Sequence, residues 1–234
     1  GLRFLLQQPL DYMEMIASNC KRFDTHFPNG NRKEESSGAS NVVLIHGLGG
    51  CSWMMRRLGR HLDQNSYQPV YWSYSSLTKG IPEHAEQLKQ FLLQRLEKSE
   101  TVQVVAHSLG AILLRAATYD LPDINRFRVV MLAPPNGGSE VATFLSKRIG
   151  FLCPALGQLS AEDGSYVRAL PTRVPRETGI IAAAQDNVVA TKHVWLNDVH
   201  ERAIVDCRHG MLPFNQRVSR LVSHFLKCAS FNEN

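Results

Sequence analysis

Apolar residues along this chain fall into two alternating rhythms, separated by polar turns. Residues 42–45, 69–74, 102–106, 129–133, 179–184 and 203–205 form short, mostly apolar runs. Such runs are the pattern of strands buried on both faces. Between them the apolar positions recur every three or four residues, which predicts helices over 53–62, 82–96, 109–119 and 215–226. The 82–96 segment places Pro82 in its first turn and Leu88, Leu92 and Leu96 on one face. The 215–226 segment aligns Val218, Leu221, Val222 and Phe225. The alternation predicts an α/β fold: a doubly wound, mostly parallel sheet of about six core strands, flanked by helices. In such sheets ligands bind outside the carboxyl ends of the strands, so the residues just after each strand are the ones to inspect.

Two stretches break the rhythm. At the front, residues 9–23 predict a short helix with Tyr12, Met13, Ile16 and Phe23 as its apolar positions, and the polar, Gly- and Ser-rich stretch 28–41 reads as a linker. Residues 1–41 are therefore a leader and linker, and 42–234 a single domain. Further on, residues 139–175 carry Phe144, Leu145, Ile149, Phe151, Leu152 and Leu156 without strand pattern.

A length of 234 residues suits one domain with a single core, and 44% hydrophobic with 20% charged residues is ordinary for a globular protein. The net charge of +5 leans basic. Lys and Arg are scattered, however, and no aromatic-studded basic stripe points to nucleic acid. A mild affinity for anionic surfaces is as much as that charge supports. The five cysteines (Cys20, Cys51, Cys153, Cys207 and Cys228) form no CxxC pair and are odd in number, which argues against a zinc site or a disulfide framework. A single bridge and the redox compartment stay open. No apolar run approaches the roughly 18 residues of a transmembrane helix. The opening residues, Gly1 to Leu6, are too short for a secretory core and are soon followed by Pro9 and Asp11. A first residue of Gly suggests processing or trimming, so an upstream signal stays open; localisation is undecided, with a lean toward the cytoplasm.

The strongest chemical signal is Val104-Val105-Ala106-His107-Ser108-Leu109-Gly110-Ala111. A serine stands between a buried strand and a helix, with small residues two positions before and after it. A sharp strand-to-helix turn lifts a hydroxyl above the sheet edge and crowds those two positions, so only small residues fit. The following helix aims its amide dipoles at a developing oxyanion. An ordinary turn serine capping a helix would share the motif. Sixty residues upstream of the elbow, after the first core strand, stands His46-Gly47-Leu48-Gly49-Gly50. Together the two motifs resemble the α/β-hydrolase superfamily, in particular small bacterial lipases and esterases whose elbow reads A-H-S-x-G. The resemblance covers roughly residues 42–226.

The resemblance implies that the backbone N–H groups of Leu48 and Leu109 form an oxyanion hole, with Gly47 letting the loop approach the substrate. It also implies a base for Ser108, because a serine hydroxyl is a weak nucleophile until its proton is taken. Of nine histidines, His61, His84 and His224 lie in helical stretches and His26 in the leader. His46 belongs to the oxyanion turn, His107 adjoins the serine and is expected to point away, and His193 and His200 precede the last strand. His209 follows residues 203–205 in a loop before the final helix, where the superfamily places its catalytic histidine. The acid should follow the preceding strand, in the order Ser, Asp, His. Asp186 fits this place. Asp206 is too near His209 along the chain to sit under its ring, and Asp198 lies in a charged, solvent-facing stretch. The spacing in Asp206-Cys207-Arg208-His209 fits no common metal-ligand pattern.

Small hydrolases of this kind carry a stretch like Pro134-Pro135-Asn136-Gly137-Gly138-Ser139 at the rim of the site, which makes Asn136 a candidate substrate contact. In the superfamily an insertion such as 139–175 forms a cap or acyl-binding wall; helices packed on the sheet are the alternative. The expectation is a serine esterase or lipase that uses Ser108, Asp186 and His209, needs no cofactor or metal, and takes a small-molecule or lipid-like ester. No nucleic acid and no transmembrane segment is expected, and oligomeric state is unreadable. An acyltransferase or thioesterase would use the same triad, and a non-catalytic binding member of the fold is a further alternative.

Overall fold

In the computed structural model, which describes residues 40–232, the strands and helices alternate along the chain. β1 (Ser40–Ile45) leads through a 3-10 turn, Ser52–Met55, into α1 (Arg56–Gln64) and β2 (Tyr67–Trp72). α2 (Ile81–Leu96), β3 (Val102–His107), α3 (Leu109–Thr118) and β4 (Phe127–Leu132) follow. Three helices, α4 (Glu140–Ile149), α5 (Pro154–Gln158) and α6 (Tyr166–Ala169), precede β5 (Glu177–Ala183). β6 (Glu201–Val205), a 3-10 turn His209–Phe214 and α7 (Gln216–Cys228) complete the order. The six strands form one sheet in the order β2-β1-β3-β4-β5-β6, with every neighbouring pair parallel. The predicted doubly wound α/β architecture is the one observed.

Strand periodicity divides the core in two. Val43 and Ile45 of β1, Val104 and Ala106 of β3, and Val129 and Met131 of β4 face the layer containing α2 and α3. The alternate residues, Val42, Leu44, Val105, Val130 and Leu132, face α1 and α7. Both layers are closed to water, so the central strands are mostly apolar; Gln103 and Arg128, half-buried at their amino ends, donate to the Leu226 carbonyl. Helix ends are marked as their sequences suggest. The Glu83 side chain accepts the Gly80 amide at the start of α2, and the Asn215 side chain accepts the amides of Arg217 and Val218 at the start of α7. Pro69 is tolerated in β2 because β2 is an edge strand.

The differences from the expected elements are local. The 69–74 strand ends at Trp72, because Tyr74 turns out of the sheet, stacks on His46 at 4.4 Å and donates its hydroxyl to the His46 carbonyl at 3.0 Å. The helix expected over 53–62 begins as a 3-10 turn and becomes α-helical at Arg56. The helix expected over 9–23 lies outside the described residues, as does most of the 28–41 linker, whose last two residues, Ser40 and Asn41, already belong to β1. Cys51 is disulfide-bonded, and Cys153, Cys207 and Cys228 are free thiols.

Candidate active site

At the carboxyl edge of β3 the chain reverses within one residue. Ser108 has φ 53° and ψ −121°, a region costly for any residue with a side chain. Its amide donates to the Leu132 carbonyl at 2.9 Å, which pins the turn to the neighbouring strand. Space enforces the small neighbours. A Cβ on Gly110 would lie 2.5 Å from the His46 carbonyl oxygen, and one on Gly47 would lie 3.0 Å from the Ser108 Cβ. α3 thus starts directly beneath the hydroxyl, and the loop after β1 lies against it.

His209 reaches Ser108 from the loop after β6. Its Nε2 is 2.9 Å from Ser108 Oγ, and its Nδ1 is 2.7 Å from Asp186 Oδ2. Asp186 follows β5, and its Oδ1 accepts the amides of Val188 and Val189 at 2.9 and 2.8 Å. Burial opposes the charge on this carboxylate. The hydrogen bond and charge of His209, with the two amides, outweigh burial and hold the Asp186 pKa below the usual carboxylate range. The structure therefore brings the three residues into one hydrogen-bonded line. The two rival carboxylates lie elsewhere: Asp206 accepts a hydrogen bond from Gln185, and Asp198 is exposed.

The Gly47-Leu48 turn faces this line. Among the described residues, no protein hydrogen bond engages the amides of Leu48 or Leu109, whereas Gly49 donates to Ser76 Oγ and Gly50 to the Gly47 carbonyl. Two free amides beside a serine hydroxyl are what an oxyanion requires. His46 braces the turn from below. It is fully buried, its Nδ1 donates to the Gly47 carbonyl at 2.9 Å, and burial lowers its pKa to about 4, so the ring is neutral.

His107 does not point away. Its Nε2 donates to the His209 carbonyl at 3.2 Å, and the two rings are 5.0 Å apart. Burial, with the His209 charge second, lowers its pKa to about 3. Strand alternation accounts for its direction: His107 is the last residue of β3, pairs in register with Leu132, and so shares the α1/α7 face from which His209 approaches. Asn136 also departs from expectation. It is buried, its Oδ1 accepts from Arg115 Nη1 at 2.8 Å, and its Nδ2 donates to the Val194 carbonyl at 2.6 Å. Both ends of the amide are used inside the protein, so Asn136 fastens the 134–139 loop and does not line the cleft. Arg115 went unnoticed in the sequence because it sits in an apolar helix with no motif around it. It is almost fully buried, and it also donates to the carbonyls of Leu170 and Pro171, joining α3 to the end of the insertion.

A cleft of about 220 Å³ opens over Ser108. Its floor is Gly47, Leu48, His107 and His209, and its apolar wall includes Leu145, Leu156, Leu159 and Val189. Ser139 fixes that wall: its hydroxyl caps α4 by accepting the Ala142 amide and donates to the Val188 carbonyl in the Asp186 loop. Among the described residues, no three His, Cys, Asp or Glu side chains cluster as metal ligands would, and no helix is long and apolar enough to cross a membrane.

The family model described as "Alpha/beta hydrolase family" matches residues 42–223. No curated protein matches the sequence. Among solved structures, a mature lipase from Bacillus licheniformis is similar at 16% identity and a TM-score of 0.60, over 86% of this chain and 96% of that one. A hydrolase from Pseudomonas aeruginosa is 18% identical with a TM-score of 0.62, over 82% and 92% of the two chains. A type II thioesterase of yersiniabactin biosynthesis is 14% identical with a TM-score of 0.55, over 84% and 94%. Identities this low speak for the shared fold alone.

Proposed function

Because this chain belongs to the alpha/beta hydrolase family, we propose that it is a serine hydrolase cleaving carboxylic esters through an acyl-enzyme. The observation that carries this reading is the unbroken Ser108–His209–Asp186 hydrogen-bond line under an apolar cleft. His209 Nε2 takes the Ser108 proton as Oγ attacks the ester carbonyl, and the amides of Leu48 and Leu109 hold the oxyanion. Asp186 keeps the proton on Nδ1 and stabilises the imidazolium. The intermediate collapses, His209 gives its proton to the departing alcohol, and a water activated by the same ring releases the acid. Gly47 permits the close approach of the carbonyl. From the insertion, Leu145, Leu156 and Leu159, which line the cleft, serve as the acyl-binding wall, and a cleft this size is small beside the roughly 300–1,000 Å³ of drug-sized sites, which suits a short or medium acyl chain.

The test is covalent. A fluorophosphonate probe should label the wild-type protein, and Ser108→Ala should abolish both labelling and p-nitrophenyl butyrate hydrolysis. Labelling that survives the substitution would overturn the assignment of the nucleophile. The same groups could pass the acyl group to another acceptor or attack a thioester. Product analysis with competing alcohols and acyl thioesters separates those outcomes.

A further inference from the structure

The insertion after β4 carries a second surface that the chemistry at Ser108 does not use. Among the described residues, eight large apolar side chains are strongly exposed, and five of them fall between residues 141 and 152: Val141, Phe144, Ile149, Phe151 and Leu152. Phe151 is 83% and Leu152 63% exposed. Isolated exposed apolar residues are ordinary, but such a concentration marks an interaction surface. It is continuous with the cleft, because Val141 and Leu145 on the same helix line the space above Ser108.

Charge indicates what the surface meets. Arg148 lies 3.6 Å over the Phe144 ring and faces no carboxylate among the described residues. Lys147 stands beside it, and its pair with Glu162 is solvent-exposed on both sides. Cations set among protruding apolar side chains match a lipid surface, where aromatic and aliphatic groups enter the acyl region and basic groups stay at the phosphates. The protein's net charge of +5 adds long-range attraction to an anionic bilayer. We propose that residues 144–152 are a docking surface for an anionic lipid bilayer, which Phe151 and Leu152 enter while Lys147 and Arg148 meet the lipid phosphates.

The experiment is vesicle co-sedimentation of the full chain in the Ser108→Ala background, where no lipid can be consumed. Its result is therefore independent of the ester-hydrolysis reading. Vesicles of equal parts phosphatidylglycerol and phosphatidylcholine should bind the protein, phosphatidylcholine alone should bind it weakly, and added salt should weaken the first. Phe151→Asp with Leu152→Asp should lower partitioning by about tenfold or more, as expected for losing two large inserted side chains. In the active background the double variant should hydrolyse soluble p-nitrophenyl butyrate at the wild-type rate, which shows that it is folded. Absent binding to anionic vesicles, undiminished binding by the double variant, or a self-association in analytical ultracentrifugation that the double variant abolishes would each overturn the proposal. The last would assign the surface to a second copy of the chain.

Discussion

The strand ends around Ser108 and the helical insertion that faces them are held by different physics. On the strand side the backbone has no slack: Gly110 and Gly47 sit where a methyl group would crowd the main chain or the Ser108 side chain, and Ser108 is strained into a positive φ. The flanking strands are buried on both faces and hydrogen-bonded to neighbours along their length. On the other side, helices of ten, five and four residues leave large apolar side chains in water. That side is fastened by Ser139 at its start, by Gln158 accepting the Ile81 amide in its middle, and by Arg115 on Leu170 and Pro171 at its end. On the proposed reading, reaction geometry belongs to the tightly packed part, and selection of the acyl group to the part that can vary without disturbing it.

Breaking the rigid side should give the largest effect. Asp186→Asn keeps the shape of the side chain but presents an amide to His209 Nδ1, which favours the wrong tautomer. The expected loss in kcat is about 10⁴-fold with KM nearly unchanged, by the logic of a Ser–His–Asp triad. Steady-state kinetics on a soluble ester, with circular dichroism to check folding, reads it out. A loss below about tenfold would mean that Asp186 does not orient the base.

The same contrast explains what could be read from the sequence. The elbow and the His46-Gly47 turn were legible because steric crowding dictates residue type there; small residues on both sides of a serine have few other causes. Asp186 and His209 could be singled out because the family resemblance says which strands they follow, and those strands show as short apolar runs that the sheet must bury. Asn136 was misread because a polar side chain in a loop looks the same whether it meets a ligand or a buried Arg115, and the partner is 21 residues away in an otherwise apolar helix. His107 differs from expectation because adjoining Ser108 does not turn its ring away: β3 alternation puts it on the face of Leu132, where His209 enters. The insertion has apolar residues without a period that could say which of them face water, so the expected wall could not be narrowed to Leu145 and Leu156, which line the cleft, and away from Phe151, which is exposed.

His107 offers a smaller test of the rigid side, read in stability. Burial holds His46 and His107 neutral in the fold, at about 4 and about 3, whereas an unfolded chain protonates them near 6.5. Below that value the unfolded state binds more protons, so stability falls with pH, by up to about 1.4 kcal/mol per pH unit for each histidine. Asp186 acts in the same direction at lower pH: its depressed carboxyl stabilises the fold above the unfolded value of 3.8, and this contribution is lost as pH falls through its folded value. His107→Gln retains a donor for the His209 carbonyl and cannot titrate. Urea denaturation from about pH 6.5 down to about pH 4.5 should therefore show a shallower decline for this variant than for wild type. Equal slopes would mean that His107 is not held neutral.

The smallest effects should come from the insertion, and they should be selective. Leu145 lies half-buried in the cleft wall on α4, away from the triad. Leu145→Trp narrows the acyl space, so kcat/KM for a medium-chain p-nitrophenyl ester should fall about tenfold while the acetate is barely affected. A tight apolar pocket discriminates by roughly 1–3 kcal/mol per methylene, which makes a tenfold change a modest demand. Leu145→Ala should move the preference toward longer chains. The diagnostic is the ratio between esters and not the rate on either one. If both substitutions scaled every ester alike, the insertion would act by positioning the triad, and the division between a rigid reacting edge and a variable reading wall would fail where the two surfaces meet.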